Sequence, residues 1–440
     1  MPPRCFLLAL LLFLVPAYGY DQKPNPLATP AAPTAPSSLV LDLESGRVLE
    51  AKNAEQKMFP ASTTKIMTCL VALEHGDLKQ VIRAGKNAAQ TGESGIYLLE
   101  GEQHTLADLV RAALIHSAND ACVAIAEGLG GSQSQFVGWM NQKAKQLGCR
   151  NTHFVNPHGL HDPNHFTTAS DLALISRAAL QIPFFNRVVR EKTATLNGNW
   201  KIGPTRVIVN RNKLLFRWAQ CDGLKTGYTR QAGNCLVASA TQAATRGAKP
   251  WRLLAVALHS APGRSFGDCQ RLLQRAFAGY ERETVVKASE IVFEGRIKGG
   301  AFDLEAMPSR DLVLPLRAGE RQTLSRRVEM LPLSAPVAKG RLVGHVNLFS
   351  SVSGAPQRLA RWPLLARDAV PQSLLARAAG PVGARFPSLL NAALPLTLLG
   401  LGSAILLVSL RKYHVRRRSH SAFRSANLGA RPRNHPGRPR

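Results

Sequence analysis

From Leu39 to Leu43 apolar and polar positions alternate weakly, Glu44-Ser45-Gly46 supplies a turn, and Arg47 to Ala51 runs back, which predicts a β-hairpin. Behind Pro60-Ala61-Ser62 the period changes: Ile66, Met67, Leu70, Val71 and Leu73 recur at helical spacing. Leu106 to Leu129 is largely helical with a break around Ser117 to Asn119, and Gln133 to Leu147 and Ala169 to Leu180 read as further helices. Leu236 to Ala240 and Leu253 to Leu258 are short continuous apolar runs, the pattern of buried strands, and Ser265 to Tyr280 is an amphipathic helix. One mixed α/β domain over residues 39–281 accounts for these elements. Beyond Arg282 strand-length runs such as Ile291 to Phe293, Leu312 to Leu316, Arg327 to Met330 and Leu342 to Leu348 alternate with Gly, Pro and charged turns, predicting a small all-β sandwich over 282–371.

The two ends change the picture. Arg4, the apolar run Phe6 to Pro16 and the small residues of Ala17-Tyr18-Gly19 form the pattern of an export signal over residues 1–19, and the Pro-rich stretch to Ser38 reads as a disordered linker over 20–38. Near the other end Ser388 to Leu410 holds 23 uncharged residues, enough for about 34 Å of helix, so a transmembrane helix is expected over 388–410, after a linker at 372–387. The basic residues that follow, beginning with Arg411 and Lys412, place the 411–440 tail in the cytoplasm by the positive-inside rule. The expected setting is the inner (plasma) membrane, crossed once, with the body of the protein on its outer side.

The chain carries 56 Lys and Arg against 28 Asp and Glu, a net +28, which first suggests nucleic acid. Ten of those cations lie between Arg411 and Arg440, and the rest are spread thinly without interleaved aromatics to stack bases, so a nucleic-acid partner is not expected. Six cysteines follow the signal. Cys69 and Cys122 sit in apolar helical runs and read as buried thiols, while Cys221 and Cys235 flank a hairpin and are close enough in sequence to pair.

Three short motifs carry chemistry. In Ser62-Thr63-Thr64-Lys65, at a helix start, residues three apart share a face, so the Lys65 amine can reach the Ser62 hydroxyl and serve as its base once burial or a neighbouring cation keeps it neutral. Ser117-Ala118-Asn119, in the helix break, sets a hydroxyl beside an amide that can relay a proton and orient a substrate amide. Lys225-Thr226-Gly227, followed by Tyr228, offers a second cation and a glycine that lets a backbone approach. Alone each is weak, since Ser-x-x-Lys arises about once or twice by chance in such a length and the others also occur as caps and turns. Together and in this order they form the motif set of penicillin-binding proteins and class A β-lactamases.

The chain resembles the low-molecular-mass penicillin-binding proteins that are D-alanyl-D-alanine carboxypeptidases. Pro60 to Thr68, Ser117 to Ala121, Asn156-Pro157-His158-Gly159-Leu160 with Thr168 to Asp171, Asp222 to Thr229, and Leu333 to Gly340 in the second domain are similar to that family's segments. The resemblance implies a β-lactamase/transpeptidase-like α/β fold, an antiparallel sheet with a helical cluster, and no cofactor. It implies Ser62 as nucleophile, Lys65 as base, and Ser117 and Asn119 assisting. Lys225, Thr226 and Arg211 would hold the substrate carboxylate, with Gly227 beside them and the N–H groups of Ser62 and Tyr228 as oxyanion hole. The implied partners are peptidoglycan stem peptides ending in D-Ala-D-Ala, and β-lactams as acylating inhibitors, in peptidoglycan maturation and cell-shape control.

Three rivals weigh less. His153, His158, His161, His165 and Asp162 cluster like zinc ligands, but in a Pro- and Gly-containing loop without a ligand pair on a regular helix, so no metal is expected. A β-lactamase or D,D-endopeptidase would share the motifs, but both usually lack the β-rich second domain. A non-catalytic envelope scaffold has no reason to keep Ser62, Lys65 and Lys225 together.

Overall fold

A computed structural model describes residues 32–196, 205–244, 249–352 and 356–378. Its centre is a five-stranded antiparallel sheet. Strands β1 (Ser37–Asp42) and β2 (Val48–Lys52) form the first hairpin, and β3 (Cys221–Thr229), β4 (Gly233–Gln242) and β5 (Trp251–Ser260) complete the sheet in the order β2-β1-β5-β4-β3. The chain therefore leaves after β2, builds a helical cluster, and returns to add three strands, with β3 at an open edge.

Side-chain alternation along these strands decides what lies on each face. Leu39, Leu41, Leu224, Val237, Leu254 and Val256 join the core with α1 (Lys65–His75), α2 (Asn119–Gly130), α3 (Gln133–Gln146) and α4 (Ala169–Ala179). Val40, Leu236, Ala238, Leu253 and Ala255 face the other way, against α5 (Ser265–Gly279), where Cys269, Leu272, Leu273 and Ala276 are its buried stripe. Cys235 to Ala240 in β4 and Leu253 to Leu258 in β5 are buried without a break, because both faces are covered, which is why these strands read as continuous apolar runs.

Beyond α5 the structure is all β. β6 (Glu281–Val286) pairs with β9 (Leu312–Leu316), and a second sheet runs β7-β8-β12-β11-β10, from β7 (Phe293–Gly295), β8 (Leu304–Pro308), β10 (Leu324–Met330), β11 (Leu342–Ser350) and β12 (Gln357–Ala366). The chain forms two compact units. One holds the described residues up to Val285 with Leu312–Ser325 and Leu348–Ala360, and the other holds Val286–Asp311, Arg326–Asn347 and the chain from Arg361.

The transmembrane helix expected in the fold is corrected here. No helix among the described residues is long and apolar enough to cross a membrane. The last of them, Leu374–Ala378, has five residues. An uncharged run of sufficient length is a compositional sign only, and the run at 388–410, like the export signal at 1–19 and the tail at 411–440, lies outside the described residues.

All six cysteines from Cys69 onward are free thiols. Cys235 stands opposite Gly227 in the β3–β4 register, six positions along the strand from Cys221. That is about 20 Å, far beyond the reach of a disulfide.

Candidate active site

Ser62 sits on a single 3-10 turn, Ala61–Thr64, that runs straight into α1. Pro60 opens the turn and the Thr63 hydroxyl closes it by donating to the Pro60 carbonyl at 2.7 Å. A second loop braces it from below. Gly159 has φ +88, and a Cβ there would lie 2.0 Å from the Ala61 carbonyl oxygen, so glycine is required by both conformation and space. His165 accepts at Nδ1 from the Val155 N–H (3.2 Å), which leaves its Nε2–H to donate to the Thr64 hydroxyl at 2.8 Å. Thr68, one turn further, donates to the Pro157 carbonyl at 2.5 Å.

Lys65 is fully buried. Its amine meets the Ser62 hydroxyl at 2.9 Å, the Asn119 side-chain oxygen at 2.7 Å and the His158 carbonyl at 2.6 Å. Asn119 is held in turn: its Nδ2 donates to the Gly92 carbonyl (3.0 Å) and its backbone N–H to the Ser94 carbonyl (2.7 Å). The helix break that presents it is a single π-helical turn, Ala112–His116, ended by Ser117 in the left-handed conformation at φ +68. A non-glycine residue is uncommon there, and strain of this kind concentrates at functional sites.

β3 brings the third motif alongside. A Cβ on Gly227 would lie 2.9 Å from the Pro60 oxygen and 3.1 Å from the Ser62 nitrogen, so the strand passes the nucleophile turn at a distance only glycine allows. Lys225 is buried on the same strand, its amine donating to the Thr226 carbonyl at 2.9 Å, whereas the Tyr228 side chain is exposed. Arg211 reaches the site through its neighbours. Its N–H donates to the Ile115 carbonyl (3.0 Å), its guanidinium lies 3.3 Å from His116 Nε2, and Asn212 donates to the Gly223 carbonyl of β3 at 2.9 Å.

Burial pushes the Lys65 amine below its ordinary value, the direction a neutral base needs. Lys225 is driven well below it, by burial first and by the charge of Lys65 second. Sequence reasoning made Lys225 the cation that keeps Lys65 neutral. Burial is instead the leading cause for Lys65, and the repulsion between the two bears on Lys225.

The three motifs therefore converge on one edge of the sheet. Sequence reasoning missed His158, whose carbonyl is an acceptor for Lys65, and the Gly92 to Ser94 clamp on Asn119. Both act through backbone atoms, which no residue type announces. The loop histidines are spent on local contacts. His153 Nδ1 lies 2.7 Å from the Asn164 carbonyl, His158 Nδ1 accepts from Leu160, and His161 packs edge-on against Phe59. Among the described residues no three His, Cys, Asp or Glu side chains form a metal-ligand group.

A serine whose hydroxyl is held by a buried lysine, with an asparagine from the helix start and a second lysine on the edge strand, defines the class: a serine-type peptidase of the penicillin-binding kind. Residues 25–251 match the family model for D-alanyl-D-alanine carboxypeptidase, and residues 280–372 match the C-terminal domain of penicillin-binding protein 5. The chain is 35% identical to D-alanyl-D-alanine carboxypeptidase DacC of Escherichia coli (strain K12), over 79% of this chain and 87% of that one. It is 31% identical to DacF of Bacillus subtilis (strain 168), over 78% and 88%. The crystal structure of penicillin-binding protein 5 from Haemophilus influenzae is similar at a TM-score of 0.64 and 31% identity, covering 78% of this chain and 99% of that one. The chain belongs to the D-alanyl-D-alanine carboxypeptidase family and is a serine-type peptidase, a hydrolase.

Proposed function

We propose that the protein removes the terminal D-alanine from peptidoglycan stem peptides through an acyl-enzyme on Ser62. The observation that carries this is the hydrogen-bonded chain from the Ser62 hydroxyl through the Lys65 amine to Asn119, set against Gly227 of the open edge strand. In this reading neutral Lys65 takes the Ser62 proton as Oγ attacks the penultimate D-alanine carbonyl. The N–H groups of Ser62 and Tyr228 receive the oxyanion, a contribution of roughly 3 to 4 kcal/mol for one such donor. The proton held by Lys65 passes through the Ser117 hydroxyl to the departing D-alanine amine, while Asn119 holds the substrate amide. Lys225, Thr226 and Arg211 take the terminal carboxylate, whose charge offsets the crowding of cations. Water then attacks the ester, Lys65 again accepting its proton, and the shortened peptide leaves.

β-Lactams place a strained amide where the scissile bond would lie, and acylate Ser62 in the same way. The substrate lies outside the cytoplasmic membrane, so the reading carries an extracytoplasmic catalytic domain, acting in peptidoglycan maturation and cell-shape control.

The test is D-alanine release from a pentapeptide ending in D-Ala-D-Ala by the full-length protein and by Ser62→Ala. Release and fluorescent-penicillin labelling by the wild type, both lost in the variant, are expected. A wild type that neither releases D-alanine nor takes the label would overturn the reading.

A further inference from the structure

Arg211 is the exposed cation of the set that receives the substrate carboxylate, and Lys225 the buried one. The Arg211 backbone is fixed from both sides. Asn210, buried, donates from Nδ2 to the Glu191 carbonyl at 2.9 Å, the buried Asn212 donates to the Gly223 carbonyl, and the Arg211 N–H is taken by Ile115. The side chain is a different case, because a long exposed arginine samples many rotamers unless something holds its tip. Among the described residues the guanidinium hydrogen-bonds to His116 Nε2, at 3.3 Å, and no carboxylate pairs with it.

His116 suits that task by place and by type. It is the last residue of the π turn, directly before Ser117, so its ring starts from backbone that the site already fixes. A guanidinium can only donate, so Nε2 accepts, the ring proton sits on Nδ1 and the imidazole is neutral. A carboxylate in the same place would compete with the substrate for Arg211. A neutral acceptor orients the guanidinium and leaves its charge uncompensated.

Protonation ends the arrangement. An imidazolium has no acceptor left, and its charge opposes that of Arg211. The surroundings disfavour that form. Burial first, then Arg211 and Lys225, hold His116 below its ordinary value, against the opposing pull of the Val209 carbonyl and of Asp120 at the start of α2. We propose that His116 positions Arg211, holding its guanidinium as a neutral acceptor where the terminal carboxylate of the substrate is received, and releasing it on taking a proton. The proposal rests on the carboxypeptidase reading and gives substrate binding an acid limit of its own, apart from the protonation of Lys65.

The test measures kcat and KM for D-alanine release from the pentapeptide by the full-length wild type, His116→Leu, His116→Gln, Arg211→Ala and the double variant His116→Leu with Arg211→Ala. Penicillin labelling of Ser62, taken to completion, confirms a folded site in each. His116→Leu is expected to raise KM roughly fivefold, the scale of one net hydrogen bond, with kcat little changed. The wild-type KM rises as the pH falls below about 6, whereas His116→Gln, an acceptor that does not titrate, keeps a KM near wild type at neutral pH and loses that rise. In the Arg211→Ala background His116→Leu adds nothing. A fivefold loss that persists there would mean that His116 acts through Ser117, its neighbour, and would overturn the proposal alone, as would an acid rise in KM that survives in His116→Gln. No D-alanine released by the wild type would instead overturn the carboxypeptidase reading and the proposal with it.

Discussion

His165 shows how a residue outside the chemistry stabilises the site. It bridges the Val155 N–H and the Thr64 hydroxyl, and it does so as a neutral imidazole. Burial lowers its pKa from the ordinary 6.5 to about 4, and burial followed by the charge of Lys65 lowers that of His158 to about 3. Between pH 6.5 and 4 the unfolded chain therefore binds protons that the folded chain refuses, so stability falls as acid is added through that window. For His165 the full effect is about 3 kcal/mol, at 1.36 kcal/mol for each pKa unit. Urea midpoints at pH 7 and pH 5 should differ clearly in the wild type. In His165→Gln the difference should shrink, on a chain less stable at pH 7; an unchanged pH dependence would refute this account. The sequence shows four histidines in a loop and invites a metal reading. Which ring nitrogen faces which backbone group depends on how the loop closes on the nucleophile turn, and that closure is a tertiary fact.

At the scale of elements the match between pattern and structure is uneven for a physical reason. The hairpin at Leu39 to Ala51, the helix after Ser62 and the buried strands near 236 and 253 were legible because burial periodicity generates them. The break at Ser117 to Asn119 was visible as a break, but its form, one π turn closed by a left-handed serine, was not. The 3-10 turn that carries Ser62 has too few residues to show a period. The apolar run at 388–410 shows only what length and apolarity permit; it lies outside the described residues, among which no helix is long and apolar enough to cross a membrane. The loop at Asn156 to Gly159 was recognised by resemblance, and its mechanical role came only with the close approach of Gly159 to Ala61. Gly159→Ala must displace the Ser62 turn, since a left-handed φ and a 2.0 Å contact with backbone oppose the new methyl. The expected cost is about 1 to 3 kcal/mol in unfolding free energy, with penicillin acylation slowed at least tenfold in the protein that remains folded. Normal acylation would show that the loop does not set the nucleophile.

For the whole molecule, a basic excess of 28 charges is the most conspicuous number in the composition, and it says little about how the fold is held. The ion pairs that matter are the few removed from water. Arg47, in the turn between β1 and β2, donates to the Pro315 carbonyl and to Glu320 Oε1 at 2.5 Å, with both side chains at least nine-tenths buried. Glu320 also accepts from the Arg317 N–H at 2.9 Å, and all three lie in one compact unit although 273 positions separate Arg47 from Glu320. A contact of that separation closes a large loop, and its worth lies in what is left if one partner goes. Arg47→Ala leaves the Glu320 carboxylate without its charged partner and should cost about 3 kcal/mol, read as a lower denaturant midpoint. Replacing both at once, Arg47→Met with Glu320→Leu, removes the unpaired charge and should recover most of that loss, because desolvating the pair already opposes much of its attraction. A double variant as unstable as Arg47→Ala would mean that the pair itself, rather than the avoidance of a lone buried charge, stabilises this part of the molecule.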